Sequence, residues 1–266
     1  MTLSYYNINL SQQELGDQMR PYQNQAGDND DKSVTFAEMA EKAQEYNLVV
    51  YQRPAGDIKL IQQIINQGLP VVVKTWLNPD EDIGHFRVVK GYDKSKQILI
   101  QDDSYQGKNI AYSHDEFNDL WQVFNYEFMV LVPPPKQEIV KEILGELVDK
   151  QDAWQQALVL ANQKVKNNPD NTYAQFNRLR ANYYLGNYQQ TVDIYENIKQ
   201  SLPRRMLWYQ IEPILAYYQL QDYDQVLSMT QQVFESENRA FSELHYLRAK
   251  IYEQRGNQDM ADQEYQ

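Results

Sequence analysis

The chain has 266 residues, of which 42% are hydrophobic and 23% are charged, so it is long enough for two domains with buried cores. Its formal net charge of -12 argues against nucleic-acid binding and against attachment to an anionic membrane, because both need clusters of lysine and arginine. The sequence contains no cysteine, which excludes disulfides, thiolate metal sites and thiol catalysis by these residues alone. No apolar run approaches the roughly 20 residues of a membrane-spanning helix.

Two short helices are predicted before the first strand. Ser11 and Glu14 form a capping-box pattern that opens the first helix, and Thr35 and Glu38 open the second in the same way. The segment between them, 21–32, is rich in aspartate but lacks the spacing and the distal glutamate of a calcium-binding loop. We therefore predict a solvated loop there.

A short strand over residues 48–52 and a helix capped by Asp57 come next. Isoleucines recur at helical spacing in that helix, and Gly68 ends it. The apolar residues 71–73 then predict a buried strand.

A β-hairpin is predicted between residues 84 and 103, because apolar residues alternate along both halves and turn-forming residues lie between them. His85 opens the first strand, and Asp102 lies near the end of the second. These two ends are neighbours in an antiparallel pair, so His85 and Asp102 could meet as a base and its orienting carboxylate.

The first region ends with a predicted helix from about Ser113 to Trp121 and a strand over residues 126–132. Three consecutive prolines follow, and they cannot join a helix interior or a sheet ladder. We predict a stiff extended linker over residues 133–136 and a domain boundary at this point.

Beyond the prolines the pattern is helical, and it repeats. The aromatic residues that mark the repeat lie 34 and 35 residues apart, at Trp154, Tyr188 and Tyr223. Such a period is typical of tetratricopeptide repeats, in which each unit is a pair of helices. We predict helix pairs over residues 137–170, 171–204 and 205–239 and a fourth pair from about 240. The third pair departs from the pattern, because Gln221 replaces the turn glycine and Pro213 lies in its first helix.

Three segments of the first region resemble the papain-like cysteine peptidases of the bacteriocin leader-processing, or C39-like, type. They are Gly68-Leu69-Pro70-Val71-Val72, Gly84-His85-Phe86 and Gln101-Asp102-Asp103. The resemblance implies an α+β papain-like domain over residues 1–132, with an antiparallel sheet and packed helices. It also implies that His85 is the general base that deprotonates a cysteine and that Asp102 holds the imidazole. Asp103 stands where the family usually has proline.

The family's cysteine and the glutamine that precedes it have no counterpart in this sequence. By the resemblance, the cysteine falls a few residues before Met1, and the residues Met1–Tyr6 have the pattern of the end of a helix without its cap. Two interpretations follow: a fragment of a peptidase, or an inactive relative that keeps the fold as a binding module. The uncapped start and the incomplete fourth repeat favour the fragment, and neither interpretation predicts peptide hydrolysis by these residues alone.

The leading functional prediction is a cysteine peptidase-like domain joined to tetratricopeptide repeats, residues 137–266, that bind a peptide or protein. The alternative is a non-catalytic scaffold for peptides or proteins. No cofactor, metal or nucleic-acid partner is predicted. His114 and His245 are interpreted as surface or packing residues, since three scattered histidines do not form a zinc site. The resemblance suggests a bacterial protein outside the cytoplasm.

Overall fold

The computed structural model describes residues 2–19, 34–79 and 81–266, so the loop predicted at residues 21–32 lies outside the described residues. One antiparallel sheet has the strand order β1-β6-β2-β3-β4-β5. The strands are β1 (Val49–Arg53), β2 (Val71–Trp76), β3 (Gly84–Asp93), β4 (Ile98–Asp103), β5 (Gly107–Ser113) and β6 (Phe128–Val132). The strand β5 is not predicted from the sequence, and its first three residues are exposed and are polar or glycine.

In the described ranges, four α-helices accompany the sheet: α1 (Gln12–Met19), α2 (Phe36–Gln44), α3 (Ile58–Asn66) and α4 (His114–Trp121). The predicted capping boxes are confirmed. The backbone N–H of Glu14 donates to Ser11 Oγ over 3.1 Å, and the backbone N–H of Ser11 donates to Glu14 Oε2 over 2.8 Å. Thr35 and Glu38 exchange the same two bonds at the start of α2. The first residues, Thr2–Tyr6, form a 3-10 helix.

Both faces of the sheet are buried, which explains why β2 is apolar at every one of its first three positions. Val71, Val73 and Val89 face one core, which α3 and α4 cover. Val72 and Val88 face a second core, which α2 covers. Successive residues of a strand therefore point into different surroundings, and this alternation decides which side chains can meet near His85.

The second part of the chain is helical: α5 (Gln137–Leu144), α6 (Lys150–Asn167), α7 (Thr172–Tyr184), α8 (Tyr188–Ile198), α9 (Met206–Tyr209), α10 (Glu212–Gln219), α11 (Tyr223–Glu235), α12 (Ser242–Gln254) and α13 (Gln258–Tyr265). An antiparallel sheet with packed helices followed by many helices agrees with the coarse form of the predicted fold class. Within the described ranges, none of these helices has the length and apolar character needed to cross a membrane.

The segment after the sheet is not the extended linker that the prolines predict. Pro134–Lys136 form a turn of 3-10 helix that leads directly into α5. Val140 and Leu144 of α5 are buried in the same core as Val71 and Val89. A further core joins Trp76 and Phe124 to side chains of the later helices. Proline can occupy the first turn of a helix without loss, and α5 thus starts as soon as its apolar face can pack on the sheet.

Two features in the region of the predicted third helix pair are explained by single residues. Pro213 lies in the first turn of α10. The helical conformation is interrupted just before it, between α9 and α10. Gln221 has a backbone φ of 62°, in the left-handed region that Gly186 and Gly256 also occupy. Gln221 therefore holds a conformation that favours glycine.

Replacing Gln221 with glycine is expected to raise the free energy of unfolding by about 0.5–1 kcal/mol, because the strain of the side chain is relieved and the residue is exposed. The matched control, Gly186→Ala, should lower it by a similar amount. Urea unfolding of both variants measures the difference. A loss of stability in Gln221→Gly would show that the side chain contributes more than its backbone strain costs.

Candidate active site

The candidate site lies where β2, β3 and β4 run side by side. Thr75 of β2 pairs with His85 of β3, and Arg87 of β3 pairs with Asp103 of β4. Since residues two apart on a strand share a face, His85, Arg87 and Asp103 lie on the same face of the sheet. Asp102 pairs with Val88 and points to the other face.

His85 and Asp103 form an ion-pair contact. His85 Nε2 lies 2.9 Å from Asp103 Oδ2, although the contact lacks the alignment of a regular hydrogen bond. The Asp103 side chain is completely buried, whereas 19% of the His85 side chain is exposed. Within the described part of the chain, Nδ1 of His85 makes no hydrogen bond. One ring nitrogen therefore faces a carboxylate, and the other has no hydrogen-bond partner among the described residues.

The carboxylate of Asp103 is held from a second side by the backbone. Its Oδ1 accepts hydrogen bonds from the N–H groups of Tyr105, over 2.7 Å, and Gln106, over 2.8 Å. Burial alone would raise the pKa of Asp103, but these two N–H groups and the neighbouring imidazole outweigh burial and lower it. Asp103 is consequently ionised at neutral pH and can hold an imidazolium.

Asp102 has different partners from those the sequence predicts. Its Oδ1 lies 2.5 Å from Lys90 Nζ and accepts the N–H of Asn109 over 2.9 Å. Burial opposes ionisation of Asp102, but the lysine and this N–H outweigh it and lower the pKa. The predicted contact between His85 and Asp102 is absent from the described structure because adjacent residues of β4 point to opposite faces. A catalytic role for either aspartate stays a prediction.

Arg87 also contacts Asp103, and the pattern of the sequence does not predict this contact. Its guanidinium is fully buried, and its Nε lies 3.2 Å from the same Asp103 oxygen that faces His85. Burial lowers the pKa of Arg87, and Tyr112 and Asp103 oppose that effect. The period of two along β3 is the signal that could have found it, since Arg87 follows His85 by two positions.

The other two histidines do not join this site. His114 is the first residue of α4. His245 of α12 is stacked on the ring of Phe234, and its Nδ1 lies 2.7 Å from Glu264 Oε2. Within the described ranges, no three His, Cys, Asp or Glu side chains converge in a way that could hold a metal ion.

His245 gives the end of the helical region a pH-dependent contact. Its Nε2 lies 2.8 Å from the carbonyl oxygen of Arg239, so both ring nitrogens face oxygens that can only accept hydrogen bonds. The bond to Glu264 outweighs partial burial and raises the pKa of His245, the Arg239 carbonyl acts in the same direction, and the Arg248 cation opposes it.

A raised pKa in the folded state means that the imidazolium contributes stability below the unfolded pKa of about 6.5, and that this contribution is lost as pH rises through the folded pKa. Replacing His245 with glutamine should therefore lower the free energy of unfolding by about 1 kcal/mol near pH 6 and by less near pH 9. Urea unfolding across this range tests it, and Glu264→Gln should flatten the same pH dependence. A constant difference at all pH values would contradict the assignment.

Comparison with known proteins identifies a family that the first half of the chain resembles. A family model described as the Peptidase_C39 like family matches residues 1–129, which confirms the predicted resemblance for this region. A solved structure of a C39-like peptidase from Bacillus anthracis aligns with a TM-score of 0.39 and 15% sequence identity, covering 49% of this chain and 84% of the other. No curated protein matches the sequence.

Proposed function

We propose that residues 1–132 are a C39-like cysteine peptidase-type domain in which His85 is the general base and an aspartate holds its imidazole. The contact between His85 Nε2 and Asp103 is the observation that carries the proposal. The family match over residues 1–129 gives it a reaction class, the cleavage of a peptide bond through a thiolate. In this proposal residues 133–136 join the domain to tetratricopeptide-type repeats over residues 137–266.

The geometry suits a base that works through Nδ1. With Nε2 held by the carboxylate, Nδ1 is free to accept the proton of a thiol, and the resulting imidazolium is stabilised by Asp103. The thiolate attacks the carbonyl carbon of the peptide, and the imidazolium then protonates the leaving amine. The 266 residues contain no cysteine, so the proposal requires a thiol supplied from outside them, and these residues alone are expected to be inactive.

The test is a chain that carries an added N-terminal segment with the family's glutamine and Cys-Gly-Pro. Its cysteine should react with iodoacetamide near neutral pH, and His85→Ala should slow that reaction by about tenfold or more, because the thiolate is no longer paired with an imidazolium. His114→Ala, which alters a histidine on α4, is the matched control and should leave the rate unchanged. Equal rates in the chain with His85 and in the His85→Ala chain would refute the proposed role of His85.

A second candidate function is a non-catalytic scaffold that binds a peptide or protein. The observation that favours it is a cavity of about 290 Å³ between α6, α7 and α8, lined by Asn162, Arg178, Asn182, Gln190 and Asp193 among others. Nε of Arg178 is buried and has no hydrogen-bond partner in the described structure. Amide and guanidinium groups of this kind can bind the backbone or the carboxylate of an extended peptide.

Selection from a library of short peptides against the 266-residue chain tests this function. Enriched peptides should lose about tenfold or more in affinity for Arg178→Ala, which corresponds to at least one charged hydrogen bond. Arg204→Ala alters an exposed arginine away from the cavity and should bind as the unmodified chain does. Failure of every peptide to depend on Arg178 would exclude this cavity as the binding site.

A further inference from the structure

Arg87 is an unusual residue for the middle of a sheet, because its guanidinium is completely buried and nearly every N–H faces an acceptor. Nη1 donates to Thr75 Oγ1 and to the carbonyl oxygen of Trp76, and Nη2 donates to the carbonyl oxygen of Leu77 over 2.6 Å and to Gln106 Oε1 over 3.3 Å. Nε faces Asp103. Arg87 therefore joins the end of β2 to the turn that follows β4, on either side of the His85 strand.

We propose that Arg87 is a positioning residue that acts on His85 through Asp103. It fixes Asp103 at the point where Oδ2 meets His85 Nε2, and it shares the negative charge of that oxygen with the imidazole. The imidazole is thereby oriented towards a carboxylate whose negative charge a second cation already shares, an arrangement that suits a general base. This inference deepens the proposed function, because it takes His85 to be that base.

The charges around the site support the sharing. His85 and Arg87 contact the same oxygen of Asp103, at 2.9 and 3.2 Å, while the other oxygen receives only neutral N–H groups. From β5, the Tyr112 ring lies 5.4 Å from the Arg87 guanidinium, and its hydroxyl donates to Gln106. One carboxylate thus faces two cationic groups when His85 is protonated. Removing one of them leaves the full attraction of the carboxylate to the other.

The test is the pKa of His85, measured by NMR titration of its ring in the 266-residue chain. In Arg87→Met the pKa should rise by about one unit, a tenfold gain in proton affinity, because the competing cation is gone. In Arg87→Lys the charge is kept and the pKa should stay within about 0.3 units. A purely structural role would leave the pKa unchanged in every folded variant, and that result would overturn the proposal.

A second pair of variants keeps the test decisive if Arg87→Met does not fold. Gln106 is exposed, and Gln106→Glu places a carboxylate beside Arg87 Nη2, which should draw the arginine away from Asp103. Tyr105→Glu places the same charge in the same turn, and the Tyr105 side chain is 81% exposed. The rise in the His85 pKa should be at least about twofold larger for Gln106→Glu, and equal rises would overturn the proposal.

These titrations involve no thiol, so they separate this inference from the peptidase proposal. If the His85 pKa responds to Arg87 while the cysteine-bearing chain is alkylated equally with and without His85, the positioning is correct and the peptidase proposal fails. If alkylation depends on His85 but the His85 pKa is unchanged in the Arg87 variants, the peptidase proposal stands and this inference fails.

Discussion

Replacing Arg180 with methionine is expected to lower the free energy of unfolding by about 3–5 kcal/mol near pH 8, because two buried carboxylates lose their shared cation. Arg180 of α7 contacts Glu127, which precedes β6, through Nη2 at 2.8 Å, and it contacts Glu212 of α10 through the same nitrogen at 2.7 Å. All three side chains are almost completely buried. These buried ion pairs therefore link the sheet to the helices, and removing one partner leaves an uncompensated buried charge.

The pH dependence of this variant distinguishes lost charge from lost packing. Burial already raises the pKa of Glu127, with Glu212 acting in the same direction and Arg180 in the opposite one. Without the arginine, the folded state holds Glu127 with a pKa still further above its ordinary value of 4.5. It therefore binds more protons than the unfolded state and gains stability as pH falls. The difference in the free energy of unfolding between Arg180→Met and the unmodified chain should therefore decrease by about 1 kcal/mol or more between about pH 8 and pH 5.

Urea unfolding at these two pH values measures both effects, and Arg178→Met is the matched control. Arg178 lies on the same helix, is only partly buried and donates to Gln175 over 2.9 Å. Its replacement should cost about 1 kcal/mol or less, with no comparable pH dependence. Equal costs for the two arginines would mean that packing of the long side chains, and not the buried charge, stabilises this part of α7.

The fold could be predicted from the sequence where local signals and burial agree. The capping residues Ser11, Thr35 and Asp57 and the apolar run of β2 predicted their elements well because each signal is short-range. The strand β5 could not be found in this way, since its residues are largely exposed and it is stabilised by pairing with β4. The extended conformation predicted for the proline segment is not observed for a related reason. Packing of α5 on the sheet determines the conformation of this segment.

The candidate site could also be predicted only in part from the sequence, and the part that could not is the identity of one residue. The hairpin and the position of His85 could be predicted, and so could the presence of a carboxylate on the neighbouring strand. The choice between Asp102 and Asp103 depends on the register between β3 and β4, which is irregular between Val89 and Gly91. A bulge of this kind changes which face a residue occupies, and alternation alone does not reveal it.

Replacing Asp103 with asparagine is expected to lower the free energy of unfolding by about 3–5 kcal/mol, since it removes the countercharge of a completely buried guanidinium. An asparagine oxygen can still accept the N–H groups of Tyr105 and Gln106. Its amide nitrogen then faces two other donors, Nε of Arg87 and Nε2 of His85. The substitution is nearly isosteric, so the cost measures electrostatics and hydrogen bonding and not a cavity.

Asp102→Asn is the matched control, one residue away on the same strand. Its lysine partner keeps 20% of its side chain exposed, so water replaces part of the lost interaction and the cost should be about 1 kcal/mol or less. The pKa of Asp103 is lowered in the folded state, so its contribution is present above the unfolded pKa of about 4 and is lost as pH falls. The difference in the free energy of unfolding between Asp103→Asn and Asp102→Asn should therefore be large at neutral pH and small near pH 3. If Asp102→Asn proved the more costly change, Asp102 rather than Asp103 would be the carboxylate on which this part of the sheet depends.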